Sequence, residues 1–360
     1  MSAGAVEVAR AEVLRAGDRA VILRLRDRGG RSGWGEGSPL VGRSPESADA
    51  CAAALERALA GPRLELAPTA AAAAATASER IGGATPAARF ALETALVDLA
   101  AQAIGCSVAE LLARDLTGEP AGEPAHQLAC SAVVPPTGAG PEVPAAITTW
   151  KVKIGELDRL EQDLADLRRI PRGVHLRLDV NRRWSRAECE QHLPRLAELG
   201  PDWVEEPTTA ADLVALGAGS PVVLALDESL VDEVDASRLA LERGLVRVLV
   251  LKPALLGGLA AARAWAERAR AAGAVPVVSH LFDGPIALAA CAELALALAR
   301  PGDPAAGLGP HRGLAAVPGA RIAQLVAGGA SLASHRPGLG IDEAAVLAAC
   351  APHGAPRPPR

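Results

Sequence analysis

The strongest constraint on the fold is a pattern that recurs through the second half of the chain. From Leu128 onward, short β-rich runs alternate with stretches of helical composition: LACSAVV from Leu128, TTWKVKIG from Thr148, VHLRLDVN from Val174, DWVEEP from Asp202, VVLALDES from Val222, VRVLVLKP from Val246, AVPVVSH from Ala274 and AAGLGP from Ala305. Between them, Arg159 to Arg169, Ser185 to Leu199 and Gly258 to Ala272 carry apolar residues at the 3.6-residue period. Eight alternations predict an α/β fold, a (β/α)8 TIM-type barrel over residues 125–325, with an open doubly wound sheet as the structural rival. A chain of 360 residues has room for this barrel and a second domain.

Five of the runs end in charge. Lys151 and Lys153, Asp179 with Asn181, Glu205 with Glu206, Asp227 with Glu228, and Lys252 close successive runs, spaced by 26, 26, 22 and 25 residues counted from Lys153. In a barrel these side chains gather at one mouth, where active sites of this fold are built. Any one pair alone reads as a solvated loop or a salt bridge; the joint pattern does not. Charges inside a barrel need partners or a metal, because desolvation is expensive. Asp179, Glu205 and Asp227 form an all-oxygen, hard-ligand set that suits Mg²⁺, with Mn²⁺ as a substitute. Lys151 and Lys153, two apart, share the inward face of their strand, and like-charge repulsion is expected to depress both pKa values. A neutral lysine beside a divalent ion suits removal of a proton next to a carboxylate, the ion stabilising the enediolate. After the seventh run, Ser279, His280 and Asp283 are candidate substrate contacts. The remaining histidines, 126, 175, 192, 311, 335 and 353, show no i,i+4 pairing and read as surface or linker residues.

The first 120 residues form a predicted α+β domain, with a strand over Ala20 to Asp27 and helical patterns over Ser47 to Leu59 and Pro86 to Leu112. AAAAATA at 71–77 reads as helix or loop, and Trp34 within GWGEGSPL as a domain-packing residue. TGEPAGEPAH, Thr117 to His126, reads as a linker, and part of 325–360, containing RIAQLV and GLGIDEAAVLAAC, returns to complete the first domain. Net charge is −5, from 37 basic and 42 acidic residues, and no basic run is interleaved with aromatics, which argues against a nucleic-acid partner. Six scattered cysteines, without metal-type spacing, read as reduced and buried. The N-terminus lacks a secretory pattern and the longest apolar stretch, Gly284 to Ala299, carries Glu293, so a cytoplasmic protein with no membrane partner is expected.

KVKIG, LRLDVNRRW, WVEEP, ALDESL and VLKP, preceded by GWGEGSPLVGRSPES and followed by PGLGID, resemble the enolase superfamily, in its muconate-cycloisomerase branch, and most of all its o-succinylbenzoate synthases. The likeness runs from about Ala20 to Asp342. It implies a capping domain over the barrel, Lys153 as general base with Lys151 as its electrostatic neighbour, and Lys252 as the second catalytic lysine. Asp179, Glu205 and Asp227 would hold Mg²⁺, Asn181 would lie beside it, and Lys151, Asn181 and Ser279 would bind a small-molecule carboxylate. The implied reaction is dehydration of 2-succinyl-6-hydroxy-2,4-cyclohexadiene-1-carboxylate to o-succinylbenzoate in menaquinone biosynthesis. N-acylamino acid racemase, dipeptide epimerase and cycloisomerase are the alternatives on the same scaffold, and a non-catalytic binding module is the reading from another class. Relatives often form homo-oligomers. Three departures stand out. The N-terminus is short, so the first capping strand is expected to be missing, leaving Arg10, Arg15 and Arg19 to cover the site. Strand seven ends in SHLFDGP rather than a serine-rich element. Strand eight, GLGPHRG, lacks the paired acids with which epimerases hold an ammonium.

Overall fold

The structure, a computed structural model, describes residues 4–117, 125, 127–138, 143, 145–309, 311 and 337–352. The N-terminal part is built on an antiparallel sheet of β1 (Val6–Ala16), β2 (Ala20–Asp27) and β3 (Ser32–Gly37), with the short β4 (Glu65–Leu66) paired to the start of β1. The first capping strand is therefore present, correcting the expectation that it is missing. VEVARAEVLRA alternates apolar and polar residues well enough to pair with the more apolar β2, and only Gly17 to Arg19 lies between them.

Four helices follow: α1 (Ala48–Leu59), α2 (Ala70–Arg80), α3 (Pro86–Ile104) and α4 (Val108–Thr117). Ser47 and Thr69 cap α1 and α2 by accepting from backbone N–H groups of the first turn. Helix α3 starts on a proline and stops at Gly105, whose φ of 76° is the left-handed conformation that ends helices. It lies directly on β3. A Cβ on Gly33, Gly35 or Gly37 would come 2.2, 1.9 and 2.9 Å from the carbonyl oxygens of Ala95, Ala91 and Ala87. Two residues of strand and four of helix advance by nearly the same distance, about 6 to 7 Å. The GWGEG spacing therefore matches three successive turns of α3.

The second part is a parallel barrel. Strands β5 (Ser131–Val134), β6 (Thr149–Lys153), β7 (His175–Asp179), β8 (Trp203–Glu205), β9 (Leu224–Leu226), β10 (Val248–Leu251) and β11 (Val275–Val278) pair in sequence order. The eighth run is reduced to bridges at Ala306 with Cys130 and Gly307 with Ser279, which join β11 to β5 and close the ring. Here too glycine is required by approach, since a Cβ on Gly309 would lie 2.2 Å from the Ser131 carbonyl oxygen. Between strands run α5 (Leu160–Leu167), α6 (Arg186–Ala197), α7 (Ala210–Leu216), α8 (Ser229–Asp232), α9 (Val234–Glu242), α10 (Pro253–Leu256), α11 (Leu259–Ala271) and α12 (Pro285–Leu298). Trp203, Ala225, Val248, Val250 and Val277 fill the inside of the ring as a separate apolar cluster. No helix among the described residues is long and apolar enough to cross a membrane.

The two parts are joined by buried carboxylates that cap helices of the other part. Glu36 on β3 accepts from Gly284, Ile286 and Ala287 N–H at the start of α12. Glu93 on α3 accepts from Ala260 in the first turn of α11, and Glu293 on α12 accepts from Ala109 in the first turn of α4. The described C-terminal stretch packs on the first part: Leu339 N–H donates to Asp98 on α3, α13 (Glu343–Ala349) sets Glu343 against Arg24 and Arg26, and β12 (Ala351–Pro352) pairs with β1. RIAQLV lies outside the described residues.

Candidate active site

The barrel register carries the charged ends of the strands to one mouth. Lys153 stands beside Asp179, and Asp179 beside Glu205, as direct cross-strand partners, while Glu205 pairs with Ala225, two residues before Asp227. Asp179, Glu205 and Asp227 are all nearly sealed from solvent, at 1, 1 and 3% exposure. Lys151 Nζ bridges Glu205 and Asp179, 2.9 Å from Asp179 Oδ2. Lys252 pairs with Asp227. Lys153 differs. Its side chain is 46% exposed, its Nζ donates to Asn181 Oδ1 at 3.0 Å, and Asp179 is 3.8 Å away. Ser279 directly follows β11 and donates to the Gly307 carbonyl at 3.1 Å. The three lysines and Ser279 face one pocket of about 500 Å³, measured with its open mouth.

The lysines do not behave alike, which corrects the expectation that both members of KVK are depressed. Burial disfavours the Lys151 ammonium, yet Asp179, Glu205 and Asp227 outweigh it and raise the pKa. Lys153 is lowered: burial is the largest cause, Asp179 opposes it, and the Lys151, Lys252 and Arg43 cations add to the lowering. Lys252 is raised because Asp227 overcomes its desolvation. Burial pushes Glu205 up, and Asp179 and Asp227 add to that push even with Lys151 in contact. Asp179 goes the other way: burial pushes it up, but the neighbouring Lys151, Lys153 and Lys252 ammoniums outweigh that and hold its pKa low. Oxygen-only donors on three adjacent strands fit a small hard cation such as Mg²⁺. As the side chains stand, with Lys151 between two of the carboxylates, no three acidic, histidine or cysteine groups among the described residues converge on a single ion position.

Local backbone explains how consecutive acids take different roles. Glu205 points inward on β8, whereas Glu206, at φ 46°, turns to accept from Asp227 N–H at 2.6 Å and from Ser229 N–H and Oγ at 3.1 and 2.8 Å. It thereby fixes the end of β9 that presents Asp227. Asn181 also has positive φ, 51°, and its N–H donates to Asp179 Oδ1 at 3.1 Å. Non-glycine residues held in this region cluster at functional sites.

Several placements differ from the sequence reading. Asp283 is buried and accepts from Leu281 N–H, with burial pushing its pKa up to about 7, so it supports the loop after β11 and does not face the pocket. His311 is not a surface residue: its ring lies 4.1 Å from that of His280, and Phe282 packs edge-on to both. His192 is buried against Trp184, and His175 is exposed beside Asp202; His126, His335 and His353 lie outside the described residues. Of the three arginines expected over the site, only Arg19 reaches the loop after β11, donating to the Leu281 and Phe282 carbonyls. Arg15 pairs with Asp49, and Arg10 lies in a separate cleft with Arg24 and Arg26. A second cap arginine, Arg43, also crosses to the barrel mouth and pairs with Glu228. Nothing in the sequence marks it apart from its place in GRSPES.

The fold and the mouth define a capped β/α-barrel enzyme with its charged groups at the C-terminal ends of the strands. Residues 5–113 match the mandelate racemase / muconate lactonizing enzyme N-terminal domain, and residues 141–344 the enolase C-terminal domain-like family. The chain belongs to the enolase superfamily. It is 32% identical to an o-succinylbenzoate synthase of Desulfotalea psychrophila over 222 residues, 59% of each chain. It is 31% identical to the L-Lys-D/L-Arg epimerase of Methylococcus capsulatus over 303 residues, 77% of this chain and 79% of that one. The structure of muconate lactonizing enzyme from Pseudomonas putida shares the fold, with a TM-score of 0.75 at 22% identity over 96% of this chain and 99% of that one. The chain spans only about two to three fifths of the muconate cycloisomerases and synthases it first matches.

Proposed function

We propose that the protein is a Mg²⁺-dependent o-succinylbenzoate synthase, acting in the cytoplasm on a small dicarboxylic acid. The observation that carries this reading is the charge of the pocket: Lys151, Lys153 and Lys252 face it, and no acidic side chain does so among the described lining. Such a pocket favours a substrate with two carboxylates and disfavours one with an ammonium group, which counts against epimerisation of cationic dipeptides. The lysines are also unequal. Lys252 is held by Asp227, whereas Lys153 is open and bonded to a neutral amide. One mobile base and one fixed cation suit a one-base elimination better than a two-base racemisation.

In this reading Lys153 Nζ takes the proton on the ring carbon that bears the carboxylate. The electron pair left behind is delocalised into the carboxylate and then forms the new ring double bond as the carbon–oxygen bond to the 6-hydroxyl breaks; the Lys153 ammonium returns its proton to the departing hydroxyl, which leaves as water, and the ring becomes aromatic. Lys252 stays protonated and offsets charge on the intermediate. Asp179, Glu205 and Asp227 would hold the Mg²⁺, which when bound supplies Lewis-acid stabilisation of the developing negative charge. A muconate-type cycloisomerase is the second reading, since the same pocket charge suits that dicarboxylate. The test is an ultraviolet assay with the cyclohexadiene carboxylate and Mg²⁺, beside a sample treated with EDTA. Metal-dependent loss of the diene absorbance is expected; no turnover by metal-loaded protein that cyclises muconate would replace the synthase with the cycloisomerase.

A further inference from the structure

The turn carrying Arg43 reaches the general base assigned above through three consecutive contacts. It is a closed structure: Arg43 and Ser44 N–H donate to the Leu40 carbonyl at 3.0 and 2.8 Å, and Leu40 N–H donates to Ser44 Oγ at 2.9 Å. Both ends are tied down, by Arg19 on the Ser38 carbonyl and by Glu46 accepting from Ala87 N–H. From this turn the Arg43 guanidinium crosses to the barrel and pairs with Glu228 Oε1. The same oxygen accepts from Asn181 Nδ2 at 3.3 Å, and Asn181 Oδ1 accepts from Lys153 Nζ at 3.0 Å.

An amide has one donating and one accepting end, so its orientation is fixed by its neighbours. A carboxylate on one side compels Asn181 to turn its Nδ2 there and to offer its oxygen to Lys153. Glu228 is itself buried, with a side chain 7% exposed, and its second oxygen has no hydrogen-bond partner. Without Arg43 it would be a buried carboxylate lacking its cation, and such a group moves toward another positive charge.

We propose that Arg43 is a positioning residue for Lys153, acting through Glu228 and Asn181, so that seating of the 38–46 turn on the barrel mouth aligns the base. This rests on Lys153 being the base, and the experiment separates the two claims. Crystal structures of the wild type and of Arg43→Ala test the coupling without any substrate: the Asn181–Lys153 hydrogen bond is expected in the first and lost in the second. A contact that persists within 3.5 Å in Arg43→Ala overturns the proposal. Steady-state kinetics on whichever dicarboxylate is turned over should show kcat down tenfold or more in Arg43→Ala with KM within twofold, recovery to within threefold of wild type in Arg43→Lys, and no further loss when Arg43→Ala is added to Asn181→Ala. A rise in KM with kcat intact would make Arg43 a substrate contact and overturn the proposal, as would additive losses. Lys153→Ala with near-normal turnover would instead remove the base assignment, whatever the structures show.

Discussion

At the residue scale, the most informative comparison is between Lys151 and Lys153, the same side chain twice on one strand face. Lys151 lies between Glu205 and Asp179 and is held as an ammonium; Lys153, one pleat nearer the mouth, faces a neutral amide and feels three other cations, Lys151, Lys252 and Arg43. Lys153→Ala is expected to lower turnover by at least a thousandfold while Mg²⁺ affinity in titration calorimetry stays within threefold; loss of both together would place Lys153 in the metal site. Asp98 gives a second prediction, far from the mouth. Burial pushes its pKa up to about 6 even though Gln102, Leu339 N–H and Trp34 N–H all donate to it. A folded-state pKa above the unfolded value near 3.8 means that its contribution is fully present below about pH 4 and lost as the pH rises through 6. Across that window the stability of the wild type relative to Asp98→Asn should fall by about 3 kcal/mol, read from urea denaturation at each pH; a flat difference would show that the carboxyl does not titrate there. Neither contrast is legible in the sequence, because one stretch KVK and one D within a helix say nothing of which charges fold back against them.

At the scale of elements, strands and their charged ends were readable because the barrel repeats one local solution: a buried strand, a polar end, a helix back. The eighth strand survives only as bridges, and AAGLGP already contains the glycines its closure needs. Less readable were elements that depend on another part of the chain. The first strand of the cap looks unremarkable alone and is specified by pairing with β2 and with the distant β12. Helix α12 begins with Pro285 after Gly284 and has no capping side chain of its own; Glu36, about 250 residues earlier, takes that role. Glu36→Ala should therefore leave three helix N–H groups and a small void unfilled and cost about 2 to 4 kcal/mol. Chemical denaturation measures this, and a loss below about 0.5 kcal/mol would mean that water caps the helix equally well.

At the scale of the whole molecule, cap and barrel share buried contacts, and the carboxylate cluster at the mouth is held by three adjacent strands at once. If Asp179, Glu205 and Asp227 hold Mg²⁺ in the folded state alone, saturating Mg²⁺ at a hundredfold over its Kd should stabilise the wild type by about 2.7 kcal/mol. A rise of several degrees in thermal midpoint is expected, reversed by EDTA and absent in Glu205→Gln; an equal rise in that variant would place the ion elsewhere. The sequence by itself determined the barrel, the order of its staves, and the set of lysines and carboxylates that meet at one end, because a period-two strand repeated at constant spacing leaves little freedom in where its last inward residue points. Only the tertiary structure decided which lysine is open, that His311 joins His280 in lining the pocket, and that Arg43 of the cap pairs with Glu228 of the barrel. Those outcomes depend on distances between residues far apart in the chain, where burial and the sign of the nearest charge, and not residue type, set the behaviour of each group.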